Sequence, residues 1–236
     1  MIEAEWHDYD SGAEMAEATA EHIGTLIEDA LDLRGEALLA MPGGKSPIPV
    51  FERLADSQAD WGRVTIVPTD DRVVPPGSPL SNYAKIAHYF LAKGAQVVPI
   101  VLENAGDDYR TAGSLANAQL ADLRWPPDLV WLGVGADGHI ASIFPGPDLQ
   151  DALDGPVARR AIGVMPSPLP PEAPVARVTL SRHAIISARS LLLTLSGPEK
   201  RAVVERALKE GSLSGTPIGS VLAGARTPIN IHWSKE

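Results

Sequence analysis

Apolar positions along the chain change their spacing several times, and each change marks an element. Between residues 12 and 33, Met15, Ile23, Leu26, Ile27, Ala30 and Leu33 recur at mostly helical intervals, and Ser11 just ahead suits an N-cap. Four short runs rich in Val, Ile and Leu follow: EALLAM at 36–41, VTIVPT at 64–69, QVVPIV at 96–101 and DLVWLGV at 128–134. Runs this short, with no polar face, predict strands buried on both sides. Helical stretches are predicted between them, near 46–56, 81–93 and 108–123. This alternation predicts a three-layer α/β/α fold, a mainly parallel sheet with helices on both faces.

After Pro145 the pattern changes. Pro- and Gly-rich connections at 145–156 and 165–174 separate strand candidates at 157–164, 175–180 and 189–195. A helix is predicted near 198–210, where Gly197-Pro198 places proline in the first turn that tolerates it. The late strands either extend the sheet or build a small added β lobe. With no internal repeat and no long linker, residues 1–236 read as a single domain.

Composition narrows the function classes. The chain is 44% hydrophobic and 21% charged, which is ordinary for a globular protein. No apolar run approaches the ~20 residues of a membrane span. The opening MIEAEWHDYD lacks the basic-then-apolar layout of a signal peptide, so a cytoplasmic location is expected. A net charge of −10 argues against a nucleic-acid or anionic-membrane partner. It leaves room for a small phosphorylated ligand, which needs only local cations and backbone N–H groups. The absence of cysteine excludes a disulfide framework, thiolate metal ligands and a cysteine nucleophile.

Three segments carry candidate chemistry, each directly after a predicted strand. Gly133-Val134-Gly135-Ala136-Asp137-Gly138 is a complete G-x-G-x-x-G. A dinucleotide fingerprint needs a long helix after it, and here Pro145 and Gly146-Pro147 follow too soon. The stretch reads instead as a turn that presents His139 at the ligand-binding edge of an α/β sheet, where an imidazole suits general acid–base work. The second segment is MPGGKSP at 41–47. Leu39 stands where a P-loop requires glycine, so Gly43, Gly44, Lys45 and Ser46 predict a simpler anion loop, with Ser46 as N-cap and Pro47 as first helical residue. In the third, TDDR at 69–72, Asp70 and Asp71 are open to metal, acid–base or ion-pairing roles, and Arg72 suits phosphate or carboxylate recognition. Cations within 177–183 and 195–201 read by themselves as solvated charge.

Together these segments resemble the 6-phosphogluconolactonase family of the sugar-phosphate isomerase-like α/β superfamily. Residues 42–47 are similar to that family's S-G-G-S-T-P loop, 69–72 to its D-E-R segment and Ser81-Asn82-Tyr83 to its S-N-Y. Residues 133–146 resemble G-x-G-x-D-G-H-T-A-S-L-F-P-G, and Arg177-Val178-Thr179 and 197–200 resemble R-x-T and G-x-x-K. The resemblance implies hydrolysis of 6-phospho-D-glucono-1,5-lactone in the oxidative pentose phosphate route, with no redox cofactor and no metal. It implies His139 as general base, with Asp70 as a second catalytic candidate. Gly43, Gly44, Lys45, Ser46, Arg72 and Lys200 would hold the phosphate, with Arg177 a further candidate. Asp137 and Gly138 would contact substrate, and backbone N–H groups of the glycine-rich turn would face the oxyanion. The expected partner is a small sugar-phosphate lactone, bound by a monomer or small homo-oligomer.

The chain departs from the pattern at Lys45, Asp71, Ile140 and Ile186, where the family commonly has a small hydroxyl residue, glutamate, threonine and asparagine. A related aminosugar-phosphate deaminase branch shares D-G-H-I-A but continues toward F-N-E-P. Here Ser142-Ile143-Phe144-Pro145 follows, with no carboxylate at that place. Non-catalytic sugar-phosphate regulators of this fold carry an added DNA-binding segment, and the pattern predicts only one helix before a sheet that begins near residue 36.

Overall fold

Burial on both faces shapes the centre of the molecule. The structure, a computed structural model, describes residues 2–106 and 108–236. The first half of the chain forms β1 (Glu5–Tyr9), α1 (Gly12–Arg34), β2 (Ala37–Met41), α2 (Ile48–Ala55), β3 (Val64–Pro68), β4 (Asp70–Arg72), α3 (Asn82–Phe90) and β5 (Gln96–Val97). Next come α4 (Tyr109–Ala121), β6 (Leu129–Gly133), α5 (Leu149–Asp154), β7 (Ala161–Val164) and β8 (Arg177–Leu180). The chain closes with α6 (Arg182–Ile186), β9 (Leu191–Ser196), α7 (Pro198–Glu210), α8 (Pro217–Leu222) and β10 (Ile229–Ser234).

Seven strands pair in parallel in the order β1-β10-β9-β6-β2-β3-β5. Side chains alternate between the faces. Ala37, Leu39 and Met41 join α1, α2 and α3 in one apolar cluster, whereas Leu38 and Ala40 join α4, α6, α7 and α8 in the other. Trp131, fully buried in β6, meets Phe51 edge-to-face with ring centroids 5.6 Å apart. Two helical layers therefore sandwich the sheet, as the alternation predicts. Among the described residues no helix is long and apolar enough to cross a membrane.

The order of the strands creates a switch point. From β2 the chain moves outward through β3 to β5, then returns to the other side of β2 with β6 and continues through β9 to β10. The connections leaving β2 and β6 diverge, and a crevice opens between them at the carboxyl edge.

Several boundaries differ from the sequence reading. The predicted strand at 96–101 shortens to Gln96–Val97. Of the late candidates, 189–195 becomes β9 of the main sheet, while β7 and β8 join β4 in a separate three-stranded antiparallel sheet. This is the small added lobe. The 145–156 connection contains α5, and the sheet starts at Glu5, ahead of α1, rather than near residue 36. β1 was missed because EWHDY is an edge strand without an apolar run, and β10 because INIHWS buries polar Asn230, His232 and Ser234. Leu33, counted in the α1 stripe, is 76% exposed. Ser11 caps α1 by accepting from the Glu14 N–H, but Ser46 does not cap α2. A turn over 46–47 delays that helix, so Pro47 takes the cap position and Pro49 lies in the first turn.

Candidate active site

The carboxyl edge of the sheet holds a cleft of about 690 Å³, lined by the loops that leave β2, β3, β6 and β9. The starts of α1, α2 and α7 also reach it, at Gly12, Pro49 and Lys200. Helix N-termini carry partial positive charge and free N–H groups, so their convergence favours an anion.

The turn after β6 is built around His139. The Gly135 N–H donates to the His139 carbonyl at 2.9 Å, and the Gly138 N–H donates to the Gly135 carbonyl at 3.0 Å. A methyl group on Gly135 would lie 2.2 Å from the imidazole, so only glycine lets the ring fold back over this backbone. Nδ1 of His139 lies 2.6 Å from Oδ1 of Asp137, whose oxygen also accepts the His139 backbone N–H at 3.2 Å. Partial burial pushes the Asp137 carboxyl up, but the charge and hydrogen bonds of His139 outweigh it, and its pKa is lowered. An ionised carboxylate there only accepts, so in the neutral ring the proton sits on Nδ1 and Nε2 keeps a free lone pair. Phe144 stacks on the ring, with centroids 4.1 Å apart.

The same cleft is lined by the loop after β2. Among the described residues, the N–H groups of Gly43, Gly44, Lys45 and Ser46 donate to no protein acceptor. Successive free amides followed by a helix start form a nest for an anion. Arg72 lines the cleft with Nη1 donating to the Leu80 carbonyl at 2.8 Å and a buried Nε without a protein partner. Lys200, on the first turn of α7, lines the same cleft and forms no ion pair among the described residues.

The acidic pair divides its labour. Asp70, 8% exposed, lines the cleft and accepts a hydrogen bond from the Ser142 hydroxyl at 2.5 Å. Asp71 faces inward and takes the Asn82 and Tyr83 N–H groups at 2.6 and 3.0 Å, the Arg72 N–H at 2.8 Å and the Ser81 hydroxyl at 3.1 Å. Burial raises its pKa, and the backbone donors pull the other way. Asp71 anchors the start of α3 and does not meet the cleft.

Most predicted site residues converge here: Gly43, Gly44, Ser46, Asp70, Arg72, His139 and Lys200 all line the cleft. Four do not. Lys45 is exposed and is not among the lining residues. Asp137 reaches the cleft only through the His139 ring, and the Gly138 α-carbon packs toward Thr216 and Val203. Arg177 is 2% exposed, its guanidinium donating to the Ala173 and Val175 carbonyls. Burial, with the charge of Arg72, lowers its pKa. Within the turn, Gly135, Gly138 and His139 spend their N–H groups internally, whereas those of Ala136 and Asp137 donate to no protein acceptor among the described residues. Sequence reasoning missed Arg53, Asn82, Glu172 and Thr194, which also line the cleft. Of these only Asn82 carried a signal, as part of Ser81-Asn82-Tyr83. Among the described residues, no group of three or more His, Asp or Glu is arranged to hold a metal ion.

The switch-point cleft and its anion nest define an open α/β-sheet protein built to hold a small anionic ligand. The sequence pattern of the family described as glucosamine-6-phosphate isomerases/6-phosphogluconolactonase matches residues 10–233. A 6-phosphogluconolactonase from Rhizobium meliloti (strain 1021) is 34% identical over 235 residues, covering 99% of this chain and 100% of that one. Another from Mesorhizobium japonicum is 35% identical over 236 residues, covering 97% and 94%. The crystal structure of a 6-phosphogluconolactonase from Shewanella baltica OS155 aligns with a TM-score of 0.89 at 30% identity over 98% of each chain. The chain belongs to the glucosamine-6-phosphate isomerase/6-phosphogluconolactonase family.

Proposed function

We propose that the chain hydrolyses 6-phospho-D-glucono-1,5-lactone to 6-phospho-D-gluconate, a step of the oxidative pentose phosphate route. The observation that carries this reading is the Asp137–His139 pair at a cleft that also offers uncommitted N–H groups and cations. With Nδ1 protonated toward Asp137, Nε2 takes a proton from water as the oxygen attacks C1. Collapse of the tetrahedral intermediate breaks the bond from C1 to the ring oxygen, and the proton on Nε2 passes to that oxygen. The new carboxylic acid loses its proton to solvent. Charge on the oxyanion is balanced by the positive end of the cleft, its cations and helix N-termini.

The phosphate sits on Gly43, Gly44 and Ser46, with Arg72 and Lys200 supplying charge. Binding there, remote from C1, orients the carbonyl for attack. Asp70, fixed by Ser142, accepts from sugar hydroxyls. A deaminase reading is less well supported, since Phe144 stacks on the imidazole where that branch supplies a carboxylate.

The direct test offers the purified protein both substrates. Hydrolysis of the phosphorylated lactone above its spontaneous rate, with no ammonia released from glucosamine 6-phosphate, is expected. Ammonia release without lactone hydrolysis would reverse the assignment.

A further inference from the structure

Asn82 begins α3 and is 2% exposed, yet it lines the cleft. Its Nδ2 donates to the Asp70 main-chain carbonyl at 2.9 Å and stands 3.5 Å from Asp70 Oδ1. A main-chain carbonyl only accepts, so the amide nitrogen must lie on this side and the orientation of the group is fixed. The other end, Oδ1, is buried without a hydrogen-bond partner among the described residues. It rests on the α-carbon of Gly43: a methyl group there would lie 2.0 Å from Oδ1, 2.1 Å from Cγ and 2.5 Å from Cβ of Asn82. The Asn82 backbone is immobilised as well, its N–H donating to Asp71 at 2.6 Å.

This one side chain therefore spans the gap between the connections leaving β2 and β3, touching the anion loop at one end and Asp70 at the other. Leaving a carbonyl oxygen buried and unpaired costs stability, and such a group calls for a reason beyond packing. We propose that Asn82 is a positioning residue that sets the separation between the anion loop and Asp70, holding the phosphate end of the substrate in register with its sugar end. Gly43 is its counterpart, because any larger residue there evicts the amide. The inference rests on the lactonase reading for its kinetic test and on geometry alone for its stability test.

Four proteins test it: wild type, Asn82→Gly, Gly43→Ala, and the double variant, which adds the methyl group at 43 where the amide has been removed. Each is assayed on the phosphorylated lactone and on unphosphorylated gluconolactone, and each is melted. Asn82→Gly is expected to raise KM for the phosphorylated lactone by about tenfold, with a much smaller change on gluconolactone. Gly43→Ala should be severe in wild type and about five- to tenfold milder in the Asn82→Gly background, as for residues in direct contact. If Gly43→Ala is too unstable to purify, recovery of folded protein in the double variant is the same support. Effects that multiply to within about twofold are those of independent sites and overturn the inference. So do equal losses of Asn82→Gly on both substrates. If wild type does not hydrolyse the lactone, the lactonase reading falls separately. Coupling is then judged from the four Tm values, where additivity overturns it and non-additivity supports it.

Discussion

Glycine at position 135 permits the whole arrangement around His139, because the imidazole folds back to where a β-carbon would stand. Residues 133–139 announce this turn plainly, which is why the histidine was legible and a dinucleotide role was not. Arg72 was legible as an anion-binding arginine after a strand and Lys200 by itself only as solvated charge; the family resemblance assigned both to the phosphate, and the structure adds that they share one cleft. Replacing either with alanine should remove a charge-assisted contact worth about 1.5–3 kcal/mol, roughly ten- to a hundredfold in kcat/KM on the phosphorylated lactone. Unphosphorylated gluconolactone should be nearly indifferent, and equal losses on the two substrates would remove these residues from phosphate recognition. Arg177 shows the limit of such reading. A basic residue at a strand start looks like a ligand group in sequence, but neighbouring carbonyls of its own segment hold it below the surface.

Among elements, β1 and β10 were the least legible, and the chemistry where they meet α1 is unlike the rest of the core. His232 of β10 is 2% exposed, with Nδ1 at 3.1 Å from the Tyr9 hydroxyl and 3.2 Å from that of Thr19. The His7 and His22 rings lie 4.7 and 5.3 Å from it, and Glu5 is 3.8 Å from His7. No apolar periodicity marks such a strand, so polar burial hid it. Burial first, and then the neighbouring His7 and His22, lowers the His232 pKa from 6.5 to about 3. The fold thus prefers the neutral ring, and between those values only the unfolded chain takes up the proton. Stability contributed here is full above pH 6.5 and falls with acidification, by about 2 kcal/mol at pH 5. Urea unfolding at pH 7.5 and pH 5 should show His232→Gln losing less stability on acidification than wild type. Equal losses would place the titrating groups elsewhere.

At the scale of the molecule, strand–helix alternation made the parallel sheet legible, and the sites after β2, β3 and β6 followed because each precedes a turn at the same edge. The order of the strands was not legible, and it decides which of those turns become neighbours. β2 and β6 pair, so Gly43 and His139 face one cleft although they stand 96 positions apart in the sequence. Net charge was equally silent on the site: a chain carrying −10 gathers Arg53, Arg72, Lys200 and three helix starts around one cavity. The proposed function rests on that combination, an anion grip and the Asp137–His139 pair at one cleft. The direct measurement is kcat and KM of His139→Ala on the phosphorylated lactone, with spontaneous hydrolysis subtracted. Loss of a general base predicts a fall in kcat of about 10²–10⁴-fold, with KM and Tm nearly unchanged. A folded His139→Ala protein that retains wild-type kcat above background would contradict the account.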